Sequence, residues 1–257
     1  MPVDEGAVTG VNSIQRGLAV LAIIMARGAV RVSDVSRALD LAMSTTHRVL
    51  ASMEAAGFVT RGGSTHVYVP GPRAYQMIGA WEATEDELCA AGQQQLAHLV
   101  EEFSETAHIV VLRGDRVRFI AGLESGRALR AGLRLGLSYP AHRTSGGKAL
   151  LAALPLRALH DLYPDEQLPE ATSTSVATFT ELLAELDRTR ERGWAVNDHE
   201  NEDSVVGIGA AIIDTAGRAR GAVVVGGPSS RVSVDDGDLI GHEVAASARA
   251  IGAALTA

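Results

Sequence analysis

Residues 32–58, VSDVSRALDLAMSTTHRVLASMEAAGF, read as two short helices joined by a tight connection. Ser33 is placed to cap a first helix over residues 34–39, and Ser44 a second that runs to about residue 56, where Gly57 supplies a left-handed stop. On the second helix Thr46, Val49, Leu50, Met53 and Ala56 recur at three- and four-residue spacing and form an inner face. Thr45, His47, Arg48 and Ser52 are left outside. A small, polar, uncharged-to-basic outer face suits a DNA groove.

Upstream, residues 13–27 carry Ile14, Leu18, Leu21 and Ile24 at helical spacing, and Gly28 ends the run. Downstream, residues 58–61 and 66–69 are two short β-prone runs joined by Gly62, Gly63, Ser64 and Thr65, a hairpin signal. Three helices followed by a hairpin describe a winged helix-turn-helix, whose second motif helix enters the major groove while the hairpin meets the flanking backbone. Arg61, Ser64 and His66 are the wing residues able to donate to phosphate. Charge agrees with that placement. Residues 11–75 hold seven arginines against three acids, a balance of +4, whereas residues 76–257 stand at −10, within a net charge of −8. A basic lobe on an acidic body meets DNA through one end only.

The chain has 257 residues, enough for two domains, and a 46% hydrophobic, 4% aromatic composition built on Ala, Val, Leu and Gly. No apolar run reaches the length of a membrane helix. The acidic start, MPVDEGAV, lacks the basic and apolar regions of a secretory signal, so the cytoplasm is the expected location. A single cysteine, Cys89, excludes an intrachain disulfide and is expected to be a small packed residue; the eight histidines show no metal-ligand spacing.

After Pro70 and Pro72, residues 73–99 read as helix, continuing to about 103, with Tyr75, Ile78, Trp81 and Leu88 apolar among acids; its expected job is to link two lobes and supply a dimer contact. Strands are then expected at 107–112 and 117–123, around a turn in which Asp115 is a hairpin residue rather than an active-site acid, with a third β-like run at 128–135. A loop and helix start follow from Tyr139, then helices near 155–162 and 178–192, strands at 205–213 and 219–225, and a last helix over 234–255. The pattern predicts an α+β architecture, with a mixed sheet flanked by helices in the C-terminal part.

Five segments in order resemble the IclR family of bacterial transcription regulators: LAMSTTHRVLASMEAAGFV at 41–59, VYVPGPRAYQMIG at 67–79, PAHRTSGGKALLA at 140–152, RERGWAVNDHE at 190–200 and GAVVVGGPSSRV at 221–232. The resemblance implies a disordered tail at 1–10, a winged helix-turn-helix over 11–73, a linker helix over 74–92 and an effector-binding domain of GAF/PAS-like fold over 93–257. It also implies homodimers, with a dimer of dimers as a further assembly, no cofactor and no catalysis. Ser44, Thr45, His47 and Arg48 match the family's recognition text, with Ser33 on the preceding helix. Thr46 stands where the family usually has Val, and Met43 replaces a residue that is often basic, which removes a phosphate contact. Operator DNA and a small-molecule effector are the implied partners, and repression is the commoner role. The effector site carries over to Ser145, Gly146 and Gly147, whose backbone amides at a helix start favour a carboxylate, and to Asn197, Gly207, Val224 and Gly226. One amide, two glycines and a valine at those last positions predict a roomier, less polar pocket and a larger effector, such as an aromatic acid or amide. Arg143 is expected either to reach a ligand anion or to form a surface ion pair.

Two enzyme readings compete for the same residues. Ser145 and Lys148 have the S-x-x-K spacing of acyl-transfer or hydrolase-type enzymes, but no companion S-D-N or K-T-G follows. Gly146, Gly147 and Lys148 lack the earlier glycine and the following Ser or Thr of a phosphate loop. Lys148, the chain's one lysine, is expected to pair with an acid on the surface. Asp198, Glu200, Glu202 and Asp203 around His199 form an acidic cluster whose expected state is a solvated loop.

Overall fold

The computed structural model describes residues 13–62, 67–233 and 237–255, so the tail expected at 1–10 lies outside the described residues. The chain divides into two compact units between Thr84 and Glu85. The N-terminal unit runs α1 (Ser13–Arg27), β1 (Val30–Arg31), α2 (Val32–Ala38), α3 (Met43–Ala55), β2 (Val59–Gly62) and β3 (Val67–Pro70), and holds the start of α4 (Pro72–Phe103). Its small core gathers Val20, Ile24, Val30, Val32, Val35, Leu50, Met53, Val59 and Tyr68. The spacing in α1 locates the helix but not its buried side: Val20 and Ile24 go in, whereas Leu18 is exposed.

Neither serine caps as expected. Helix α2 begins before Ser33, because the Asp34 carboxylate accepts from the Arg31 amide at 3.1 Å and so closes the first turn itself. Helix α3 starts at Met43 with Ala42 at its N-cap, and Thr46 Oγ1 donates back to the Ala42 carbonyl at 3.2 Å. Ser44 is thereby left exposed on the first turn. Gly57 does end α3, at φ +78°, with the Phe58 amide donating to the Met53 carbonyl. The hairpin β2–β3 is antiparallel, and β1, two residues long and without a sequence signal, adds to its other side.

The second unit contains the rest of α4, then β4 (Thr106–Arg113), β5 (Arg116–Leu123), β6 (Ser138–Pro140), a 3₁₀ turn (Ala141–Arg143), α5 (Ser145–Ala152), α6 (Leu156–Leu162), α7 (Phe179–Arg192), β7 (Ala195–Asp198), β8 (Val205–Ile213), β9 (Ala219–Pro228) and α8 (Gly237–Ala254). Six strands form one sheet in the order β6-β5-β4-β9-β8-β7. Where a mixed sheet was expected, every pairing is antiparallel. The reason lies in the connections: β4–β5 and β8–β9 are hairpins, and the helical excursion α5–α7 carries the chain from one edge strand, β6, to the opposite edge, β7.

Side chains alternate across this sheet with a period of two. Ala107, Ile109, Val111, Ile208, Ala210, Val223 and Val225 face α8 and the second half of α4, through Leu88, Leu96 and Leu99. Val110, Phe119, Ala195, Ala222 and Val224 face α5, α6 and α7. The strand expected at 128–135 is an irregular segment instead. Thr106 Oγ1 donates to the Ala131 carbonyl at 2.5 Å and Glu124 Oε1 accepts from the Leu133 amide at 3.2 Å, so side chains satisfy a backbone that a neighbouring strand would otherwise pair. The last helix spans Gly237–Ala254, and residues 234–236, where its start was expected, lie outside the described residues. No helix among the described residues is long and apolar enough to cross a membrane.

Candidate functional site

Two places bring together the residues singled out by the sequence. On α3, Thr46, Leu50 and Met53 are buried, while Ser44, His47, Arg48 and Ser52 are exposed and Thr45 is half-buried. The inner face therefore anchors the helix on the core and leaves hydroxyls, an imidazole and a guanidinium outward. Ser33 is exposed on α2. Arg61, exposed on β2, donates to Glu54 at 3.2 Å and sits over the Tyr68 ring at 5.6 Å, so its guanidinium is already partly engaged. Ser64 and His66, between β2 and β3 in sequence, lie outside the described residues.

The second place is a cavity in the C-terminal unit, on the sheet face covered by α5. Strand register builds its floor: Asn197 pairs with Gly207, Gly207 with Gly226, and, one step along, Gly209 with Val224 and Val224 with His108. The first turn of α5 overhangs this floor. Thr144 caps it, its Oγ1 accepting from the Gly147 amide at 3.1 Å, and the Lys148 amide bonds to the Thr144 carbonyl. The amides of Ser145 and Gly146 have no hydrogen-bond partner among the described residues and stand at the positive end of the helix. The walls are Val110, Val117, Phe119, Ala131, Arg134, Tyr139, Asn201, Glu202 and Val205.

Six of the seven expected effector residues, Ser145, Gly146, Asn197, Gly207, Val224 and Gly226, line this one cavity. Gly147 does not. A Cβ there would stand 2.2 Å from the Ala141 carbonyl oxygen, so this glycine serves the packing of α5 on the 3₁₀ turn. Arg143 is also outside the cavity lining, half-buried, and its Nε has no hydrogen-bond partner among the described residues. Nor is the cavity roomy. Partly open to solvent, it offers about 50 Å³, a third of the roughly 150 Å³ of an engineered apolar cavity that takes benzene. The bare floor did not become empty space because it let α5 descend: a Cβ on Gly209 would lie 2.8 Å from the Gly146 nitrogen, and one on Gly207 3.1 Å from Ser145 Oγ.

The residues missed by sequence reasoning are the polar ones on the walls. His108 is buried edge-on to Phe119, with ring centroids 5.0 Å apart, and its Nε2 accepts from the Arg134 amide at 3.3 Å. Burial, and then the Arg134 charge, lowers its pKa to about 4, so the ring is neutral at pH 7. The Arg134 guanidinium forms a two-pronged pair with Glu202, one arm at 2.9 Å, and donates to Tyr139 Oη at 3.1 Å. The only signal for these contacts was the acidic cluster, and the structure divides that cluster between two partners. Glu202 goes to Arg134, while Glu200 is buried against Lys148.

Lys148 corrects the expectation of a surface pair. Its side chain is 1% exposed and its ammonium is taken by Glu200, with Glu185 4.0 Å away. Desolvation raises the Glu200 pKa in spite of the adjacent ammonium. A lysine committed to two carboxylates is not a free base for Ser145, which removes the geometric footing of the acyl-transfer reading. Cys89 is half-buried with Sγ 3.8 Å from the Ile120 carbonyl oxygen, and burial pushes its thiol pKa up, as suits a packed residue. Among the described residues no group of three or more His, Cys, Asp or Glu is arranged to hold a metal ion.

Comparison with known proteins matches residues 83–253 to the model described as bacterial transcriptional regulator IclR C-terminal, and residues 13–63 to the IclR helix-turn-helix domain. The HTH-type transcriptional repressor AllR of Escherichia coli K12 is 31% identical over 96% of this chain and 91% of its own length. The HTH-type transcriptional regulator BhcR of Paracoccus denitrificans is 30% identical over 87% of this chain and 80% of its own. Among solved structures, the Agobacterium tumefaciens repressor BlcR is similar with a TM-score of 0.59 at 26% identity, covering 95% of this chain and 96% of that one.

Proposed function

Because this chain belongs to the IclR family of bacterial transcriptional regulators, we propose that it is a repressor that reads operator DNA with the outer face of α3 and answers to a small organic acid held in the cavity beneath α5. The family consists of regulators rather than enzymes. The observation that carries the proposal is the division of α3 into a buried apolar side and an exposed side of Ser44, His47 and Arg48. Arg48 pairs with phosphate or reads guanine, and the hydroxyls of Ser44 and Thr45 contact backbone or base edges. Ser33 and Arg61 add backbone contacts.

In the cavity, the unbonded amides of Ser145 and Gly146 donate to an oxygen of the bound acid, Asn197 and the His108 ring orient it, and Val110, Val117, Phe119 and Val224 cover its apolar part. The volume suits an acid of a few heavy atoms better than an aromatic ring. The protein acts in the cytoplasm as a homodimer. Exposed apolar side chains Leu18 and Met25 on α1, and Tyr75 and Met77 on α4, are the surfaces offered to the second copy. Ligand shifts operator affinity by its differential affinity for two arrangements of that dimer.

The test is the affinity of Arg48→Ala for the DNA upstream of the protein's own gene. Loss of one base or phosphate contact costs about 1–3 kcal/mol, so the dissociation constant is expected to rise by about fivefold to about 150-fold. Unchanged affinity, with the same salt dependence, would remove α3 from the interface.

A further inference from the structure

We propose that Arg134 is the anion receptor of the cavity and that Glu202 is its built-in substitute, a carboxylate that an incoming small monocarboxylate must exchange with. The inference rests on reading the cavity as the effector site.

The pair is asymmetric. Arg134 is fixed from several sides: its amide donates to His108 Nε2, its Nη1 to Tyr139 Oη at 3.1 Å, and its guanidinium carbon lies 5.3 Å from the centre of the Tyr139 ring. Its side chain is 16% exposed against 40% for Glu202. The Glu202 carboxylate bonds only to Arg134 among the described residues. The connection between β7 and β8 is pinned just before it: Thr174, Thr172 and Ser175 hydroxyls hold the carbonyls of Asp198, His199 and Glu200 at 3.1, 2.8 and 2.7 Å. Past Glu200 the Glu202 backbone is held by the Val205 amide, which donates to its carbonyl at 3.3 Å, whereas its exposed side chain is free to rotate into water while Arg134 stays.

Chemistry makes the exchange selective. A guanidinium presents a planar fork that matches a carboxylate and gives a neutral amide no charge-assisted second bond. Trading one carboxylate for another leaves the charge around Arg134 unchanged, so a buried cation is never left alone. Departure of the Glu202 head group also enlarges a cavity that is otherwise tight. Ligand then loosens the β7–β8 connection on one side while its body rests on the α5 turn on the other, which places the signal in the loop that follows Asn197.

The experiment measures binding by calorimetry to the full-length protein, using acetate, propionate, pyruvate and benzoate, each beside its amide. Wild type is expected to bind one or more of the smaller carboxylates and none of their amides. Glu202→Gln, which removes the competitor, is expected to bind the same acid about two- to fivefold more tightly, the scale of a partly exposed ion pair. Arg134→Gln is expected to lose the preference for acid over amide, and Arg134→Lys to keep part of it, which separates loss of the receptor from misfolding. Weaker acid binding by Glu202→Gln would show that Glu202 positions Arg134 and would overturn the exchange. A preserved acid preference in Arg134→Gln would assign the anion to the α5 amides alone and overturn it as well. If no acid binds either wild type or Glu202→Gln, the cavity is not an acid site, and both the exchange and the reading beneath it fall.

Discussion

His108 concentrates the chemistry of the cavity in one ring. It is neutral because burial and the adjacent Arg134 penalise its cation, and a lowered histidine pKa ties stability to pH in one direction. With about 4 in the folded protein and about 6.5 unfolded, the unfolded chain binds more protons between those values, so stability is full above pH 6.5 and falls as pH drops toward 4. Going from pH 7 to pH 5 should cost about 2 kcal/mol through this residue. Thermal unfolding of His108→Asn at the two pH values is expected to show a loss smaller by that amount, and equal losses would contradict the assignment. None of this was legible in the sequence, where HIV in a strand says only that alternate residues are buried. The same holds for Lys148: its place on α5 was plain, but its burial depends on Glu200 and Glu185 arriving from two other elements.

Helix α5 shows why some glycines of the sheet are structural and others leave room. Gly209 and Gly226 both lie in the central strands, yet a Cβ on Gly209 would press on the Gly146 nitrogen at 2.8 Å and the Ser145 carbonyl carbon at 3.0 Å, whereas one on Gly226 would find nothing nearer than the Val206 oxygen at 3.8 Å. Backbone atoms cannot step aside as a side-chain tip can. Gly209→Ala is therefore expected to destabilise the C-terminal unit by about 1–3 kcal/mol and Gly226→Ala by less than about 1, in denaturant unfolding. Equal effects would mean that α5 is not seated as described. The helices and hairpins were readable because their apolar spacing and stop glycines are local. The failures, the caps of α2 and α3, the segment at 128–135 and the two-residue β1, occur where a distant or unremarkable backbone group decides the outcome: Asp34 for one cap, Thr106 for the loop, β3 for the short strand.

In the molecule as a whole, the charge division of the sequence separates two tasks. The arginine-rich N-terminal unit carries an exposed helix face suited to DNA, and the acidic C-terminal unit carries the cavity. The order of strands and helices, and the positions on the cavity floor, could be read from the sequence through family text that repeats along the chain. The size of the cavity could not, since it is set by how far α5 settles onto Gly207 and Gly209. Recognition and response are thus expected to be separable by mutation. The direct measurement is operator affinity of Gly226→Val beside wild type, with and without the small-acid series. The account predicts wild-type affinity in the absence of acid, because the change lies in the C-terminal unit, and no response when acid is added, because the valine fills the cavity. Weakened DNA binding without acid, or a response equal to that of wild type, would contradict it.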